Sequence, residues 1–232
     1  MKKIDSYYQE DLLLLSSSFS KMLKKKFGKG PEACFITYHS NKLLVHIRNF
    51  VTPAEDVLVK SDQLKLAYSF RTSVMEIVFK EFLEEASELL GISFDSYYED
   101  WNYEDNSGLI LFENTSSLMW EETKLNPIWK DEIFDQVIQI CSEIHKVPNT
   151  LEIVKIKPTL YVIECQRILL KVEKILFQKG QLNIIHERSF EIRKCYMEQR
   201  ETLQHIFGSK IDHLYLMWDY KKDRSLLFVH LA

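Results

Sequence analysis

The sequence predicts an α+β protein made of two tandem α-β-β-α-β-β domains, each a four-stranded antiparallel sheet with helices on one face. Two observations carry this reading. First, the chain repeats itself: a shift of 117 residues places Arg71 on Arg188, Gly91 on Gly208 and Trp101 on Trp218, with nine identities in the 43 residues from Arg71 to Glu113. Upstream the shift becomes 118, so that Ala33 to Glu55 lies on Leu151 to Glu173. Second, the apolar period changes along each copy from helical to strand-like and back, with two-residue turn signals between the strand segments. The domains are set at 1–115 and 127–232, with 116–126 as the linker.

In the first copy, Leu12, Leu15, Phe19, Met22, Leu23 and Phe27 recur at helical spacing, and Gly28 stops the helix. Residues 33–39 and 43–50 form a hairpin about Ser40-Asn41, whose counterpart is Pro158-Thr159. A two-residue turn demands antiparallel neighbours. Thr52, Pro53 and Glu55 then spell a capping box with proline at the first helical position. The second copy keeps Glu173 but has Leu170 at the cap, so its helix is expected to start less sharply.

The long helix, 64–90, carries Met75, Val78, Phe79, Phe82, Ala86, Leu89 and Leu90 on one stripe. The second copy answers with Ile192, Cys195, Tyr196, Leu203, Ile206 and Phe207 in the corresponding helix. Gly91 and Gly208 sit where left-handed C-terminal caps belong, and strands are expected at 92–103 and 209–220. The last hairpins close through Asp105-Asn106-Ser107 and Lys222-Asp223-Arg224. The second copy's strand is apolar on both faces and should be covered more completely than the first.

With 46% hydrophobic residues in 232, the chain can fill real cores, and a net charge of -4 argues against nucleic acid as a partner. Leu12 to Leu15 is far too short an apolar run to span a bilayer, so no direct membrane insertion is expected. Cys34, Cys141, Cys165 and Cys195 contain no C-x-x-C pair and sit among apolar residues, which fits a reducing, cytoplasmic setting.

Chemistry is sparse. Gly28-Lys29-Gly30-Pro31 lacks P-loop spacing and follows a helix, so it reads first as a helix stop and a turn. The second copy has Lys146-Val147-Pro148-Asn149 there, so a loop function would belong to the first copy alone. The seven histidines form no H-x-x-x-H, and Cys141 with His145, read as i, i+4 on one helix, make two ligands at most; no metal or cofactor is expected. Ser16 to Ser18 lack a nucleophile-elbow context, and the acidic clusters Glu81, Glu84, Glu85, Glu88 and Glu99, Asp100, Glu104, Asp105 read as charged surface. No catalytic constellation is found, and no enzyme is expected. Arg71 and Arg188, at one point in both copies, read by default as salt-bridged.

The order G-K-G-P, a hairpin, T-P-A-E, an arginine in the long helix, Gly91 and a closing "LILFE" resembles the MpsC-like family. In the first copy the resemblance runs through Gly28, Lys29, Gly30, Pro31, Thr52, Pro53, Ala54, Glu55, Arg71 and Gly91; in the second it thins to Glu173, Arg188 and Gly208. It implies a small protein associated with a membrane system that translocates cations, generates membrane potential and supplies bicarbonate, and it brings no catalytic residues. The expectation is a cytoplasmic accessory or regulatory module acting through protein contacts, with a homo-oligomer left open. The alternative is a small-anion or small-molecule module in which Gly28, Lys29, Gly30, Pro31, Arg48 and Arg71 of the first copy hold the ligand.

Overall fold

A computed structural model describes residues 8–116, 120–121 and 125–232. The chain divides into two compact units, Met1–Trp120 and Glu121–Ala232. The expected linker 116–126 falls partly outside the described residues, at 117–119 and 122–124.

In the first unit, helix α1 (Gln9–Phe27) leads into β1 (Ala33–His39) and β2 (Lys42–Arg48), then α2 (Pro53–Lys60), α3 (Leu64–Leu90), β3 (Ser96–Asn102) and β4 (Ser107–Glu113). The strands pair antiparallel in the order β1-β2-β4-β3. Ser40 and Asn41 both take positive φ, 52° and 56°, as a two-residue primed turn requires. Leu15, Phe19 and Leu23 of α1 and Met75, Val78, Phe79, Phe82 and Ala86 of α3 are buried on Leu43, Val45, Ile47, Ile110 and Phe112 of the sheet. Each buried aliphatic or aromatic side chain there contributes about 1.5–3 kcal/mol of transfer free energy.

The second unit runs α4 (Pro127–Ile144), β5 (Thr150–Lys157), β6 (Leu160–Gln166), α5 (Lys171–Gln178), α6 (Leu182–Glu198), α7 (Arg200–Phe207), β7 (Ile211–Asp219) and β8 (Arg224–Leu231). Its strand order, β5-β6-β8-β7, repeats that of the first sheet. Both units are thus α+β halves of the same topology. The β7 strand is buried along most of its length, whereas the first four residues of β3 are only half-buried.

Three expectations are corrected. The long helix of the second unit is broken at Gln199, which stands where the first unit has the fully buried Phe82. A polar residue cannot pin that turn to the sheet as a phenylalanine does, and the helix ends and restarts there. The strands after Gly91 and Gly208 begin later than expected, at Ser96 and Ile211. His145 is not on the α4 face with Cys141: it lies just past the helix end in extended backbone (φ -144°).

Candidate functional site

The motif residues of the first unit converge on Arg71, whose side chain is 2% exposed. Thr52 caps α2: its hydroxyl accepts from the Glu55 N–H at 3.3 Å, while Glu55 Oε2 accepts from the Thr52 N–H at 2.9 Å and from its hydroxyl at 2.7 Å. The same carboxylate receives Arg71, Nε to Oε1 at 2.5 Å and Nη2 to Oε2 at 2.7 Å, and Nη2 also reaches the Phe50 carbonyl at 3.3 Å. The Tyr103 hydroxyl adds a fourth side-chain contact to Glu55 at 3.2 Å.

Aromatic rings close round the guanidinium. Trp101 lies 4.2 Å from it, Phe50 5.0 Å, Tyr103 5.1 Å and Phe27 6.0 Å. Burial alone would push the Glu55 carboxyl up, but the hydrogen bonds and charge of Arg71, together with the Thr52 contacts, hold it below the ordinary carboxylate value. The recess beside Arg71, between Phe50, Trp101, Asn102 and Asn106, has no room for a water molecule. Arg71 therefore bridges α3 to the cap of α2 as an internal cation, with its charge already balanced.

The glycine loop serves the same corner. Gly28 takes φ 75° and returns its N–H to the Lys24 carbonyl at 3.0 Å, a left-handed helix cap. Lys29 Nζ donates to the Val51 carbonyl at 2.8 Å, and Phe27 packs edge-on against Phe50 at 5.1 Å. Gly30 follows, where an added β-carbon would lie 3.5 Å from the β-carbon of Lys24, and Pro31 leads into β1. Lys29 and Arg71 thus meet at the segment 50–51, holding its two carbonyls from before and after it in sequence. Arg48 is exposed at the end of β2 and pairs in register with Ala33 and Ser107; no contact brings its guanidinium to Arg71.

Asn106 completes the corner and was not singled out from the sequence as a site residue. Its side-chain oxygen accepts from both the Phe50 and Val51 N–H groups at 2.7 Å, and its carbonyl accepts from Asn49 N–H at 2.7 Å. Asn49 and Asn106 both take positive φ, 55° and 47°. The second unit repeats the device with Arg167 and Asp223, at 55° and 54°. There Asp223 accepts from Leu169 N–H at 2.7 Å and its carbonyl from Arg167 N–H at 2.6 Å. An asparagine facing an aspartate across copies is a detectable signal, because both tolerate left-handed backbone.

The second unit keeps a looser version of the bracket. Glu173 accepts from Leu170 N–H at 2.7 Å, but leucine has no hydroxyl to return the bond. Arg188 Nε pairs with Glu173, its Nη2 donates to the Ile144 carbonyl at 2.8 Å, and its side chain is 34% exposed. His145 stands in the place of Phe27, 3.3 Å from Glu173 and stacked on Trp218 at 5.1 Å. Gly91 and Gly208 cap their helices at φ 65° and 63°.

Other groups considered for chemistry have structural partners. Ser16 donates to the Cys34 carbonyl, Ser18 to Glu85 at 2.7 Å, and Lys26 pairs with Glu81 at 2.5 Å. Half-buried Glu99 is pushed up to about 7 by burial, against the opposing hydrogen bond from Trp101 Nε1 at 2.7 Å and the charge of Arg71. All four cysteines are thiols. Among the described residues, no three His, Cys, Asp or Glu side chains gather in a way that could hold a metal ion.

The segment 13–114, which contains this whole bracket, matches the family model described as Na+-translocating membrane potential-generating system (MpsC). Comparison with curated proteins and with solved structures gives no significant match. The match lies within the first unit and covers less than half of the chain, so it is this unit that is similar to the MpsC family.

Proposed function

We infer that this protein is a cytoplasmic accessory or regulatory component of a Na+-translocating, membrane-potential-generating system and that it acts through protein contacts. The family match supplies the link to such a system. The observation that carries the mode of action is the fate of the motif side chains: Thr52, Glu55 and Arg71 are buried and spent on one another. A motif used up inside the domain supports a scaffold, whose function lies on its surface. No helix among the described residues is long and apolar enough to cross a membrane, so the reading places membrane passage in a partner.

The test is affinity capture of the full chain at native expression from detergent-solubilised membranes, with Na+-dependent membrane potential measured in cells lacking the protein. The reading expects a cation-translocating membrane complex among the captured proteins and a reduced potential in the deletion. Capture without any such complex, with an unchanged potential, would refute it.

A further inference from the structure

The two units differ in charge at the same corner of their shared topology. In the second unit this corner is built from the segment before α5, α5 itself, its turn into α6 and the β7–β8 turn. Arg167, Lys171, Lys174, Lys179 and Lys221 are exposed there, where the first unit has Asn49, Pro53, Asp56, Ser61 and Glu104. From Arg167 to His186 the one carboxylate is Glu173, which is buried and paired with Arg188. The net charge of -4 on the whole chain conceals this local excess of cations.

Asp223 holds the pieces together. Its backbone carbonyl accepts from Arg167 N–H at 2.6 Å, one carboxylate oxygen accepts from Leu169 N–H at 2.7 Å, and the other pairs with Lys174 at 2.5 Å. Phe177 of α5 stacks on Tyr220 at 5.5 Å, which fixes the turn that carries Lys221 beside α5. Among the described residues, no carboxylate pairs with Arg167, Lys171, Lys179 or Lys221.

Aliphatic side chains stand among these cations. Val172 is 53% exposed, Ile175 50%, Leu182 45% and Ile184 50%. Val172 and Ile175, three residues apart, share one face of α5, which Lys179 extends at the helix end. Leu182 and Ile184 open α6 just after Gly180, whose φ of 69° turns the chain. The first unit exposes Val57, Leu64 and Leu66 at the positions of Ile175, Leu182 and Ile184. Charge, and not apolarity, therefore separates the two corners.

We propose that the α5–α6 corner of the second unit is a docking surface for an anionic lipid bilayer, on which the protein lies without crossing it. Lysines supply most of the charge, and an ammonium is a point charge without the fork by which arginine grips one phosphate or carboxylate. Such cations suit a diffuse layer of anionic headgroups, while Val172, Ile175, Leu182 and Ile184 reach the acyl boundary. A nucleic acid would leave those aliphatic side chains in water. The rings that could stack on bases, Phe177, Tyr220 and Trp218, are stacked on one another, the last two at 6.0 Å. The contact needs no second protein, so it stands or falls separately from the capture of a membrane complex.

The proposal is tested by co-sedimentation of the full chain with protein-free vesicles, of phosphatidylcholine alone or of phosphatidylcholine carrying phosphatidylglycerol, at low and high salt. Three double variants change exposed positions only: Lys171→Glu/Lys179→Glu, Ile175→Ser/Ile184→Ser and, in the first unit, Val57→Ser/Leu66→Ser. The wild type is expected to bind the anionic vesicles, less at high salt, and to leave phosphatidylcholine alone unbound. With circular dichroism unchanged, each second-unit variant should lose at least about tenfold in partition, and the first-unit variant should match the wild type. A wild type that fails to bind anionic vesicles at low salt would overturn the proposal, and retention on RNA in that case would assign the corner to nucleic acid. Folded second-unit variants that bind as the wild type does would overturn it equally.

Discussion

Arg71 holds Glu55 by two parallel hydrogen bonds, Nε to Oε1 and Nη2 to Oε2, and Glu55 is at the same time the third helical residue of the Thr52 cap. One carboxylate thus caps the start of a helix and neutralises a buried cation. The consequences for stability are specific, because removing either partner strands a charge in an aromatic enclosure.

Arg71→Ala should cost the first unit about 3–5 kcal/mol, since Glu55 is left buried without its counter-ion. Arg71→Lys should recover only part of this, because an ammonium cannot match the two-point contact or stack on Trp101. Urea denaturation of the three proteins checks both statements.

The caps of the two units should respond in opposite directions. Thr52→Ala should destabilise by about 1 kcal/mol, and Leu170→Thr should stabilise the second unit by about 0.5–1 kcal/mol by supplying the hydroxyl that Glu173 lacks as a partner. Thermal unfolding of each variant measures the two shifts.

Gly108 pairs across the sheet with Trp101, and a β-carbon there would lie 2.1 Å from the indole Cε3. Gly108→Ala should displace Trp101 from Arg71 at a cost of about 1–3 kcal/mol. The same change should shift Trp101 fluorescence. The second unit has Ser225 at this point, opposite Trp218, so Ser225→Ala should be nearly silent.

Glu99 has a folded-state value of about 7, raised from 4.5. Between these values the folded state keeps a proton that the unfolded state has lost, so this residue makes stability fall as pH rises from about 4.5 to about 7. Glu55, held low, acts in the opposite sense: its contribution is present above its ordinary value and is lost on acidification below it. Glu99→Gln keeps an acceptor for Trp101 and should flatten the stability profile between pH 4.5 and 7 relative to wild type. A profile parallel to wild type in chemical denaturation would show that Glu99 is ionised throughout.

Much of this was legible in the sequence because it is local. Thr52, Pro53 and Glu55 announce a helix start within four residues, Ser40-Asn41 a tight hairpin, and Gly28, Gly91 and Gly208 helix ends, each through backbone preferences that need no tertiary contact. The Arg71–Glu55 pair was visible only as two separate signals, since its partners lie 16 residues apart on different helices. The Asn106 clamp on Phe50 and Val51 was hidden for the same reason, at sequence separations of 56 and 55. Helical periodicity carried straight through Gln199, because the apolar stripe resumes at Leu203; what the pattern did not weigh was the loss of one phenylalanine anchor. His145 fits the helical spacing from Cys141, yet its place is decided by stacking on Trp218.

The central claim is that the family's motif residues form an internal bracket while function resides in protein contacts. It is tested most directly by capturing partners with a Glu55→Gln/Arg71→Met chain, in which glutamine keeps the cap and methionine fills the aromatic enclosure without charge. The account predicts a folded protein that recovers the same membrane complex as wild type, in equal yield. A folded double variant that no longer recovers it, with single surface variants unaffected, would contradict the account and assign Arg71 a direct role in binding.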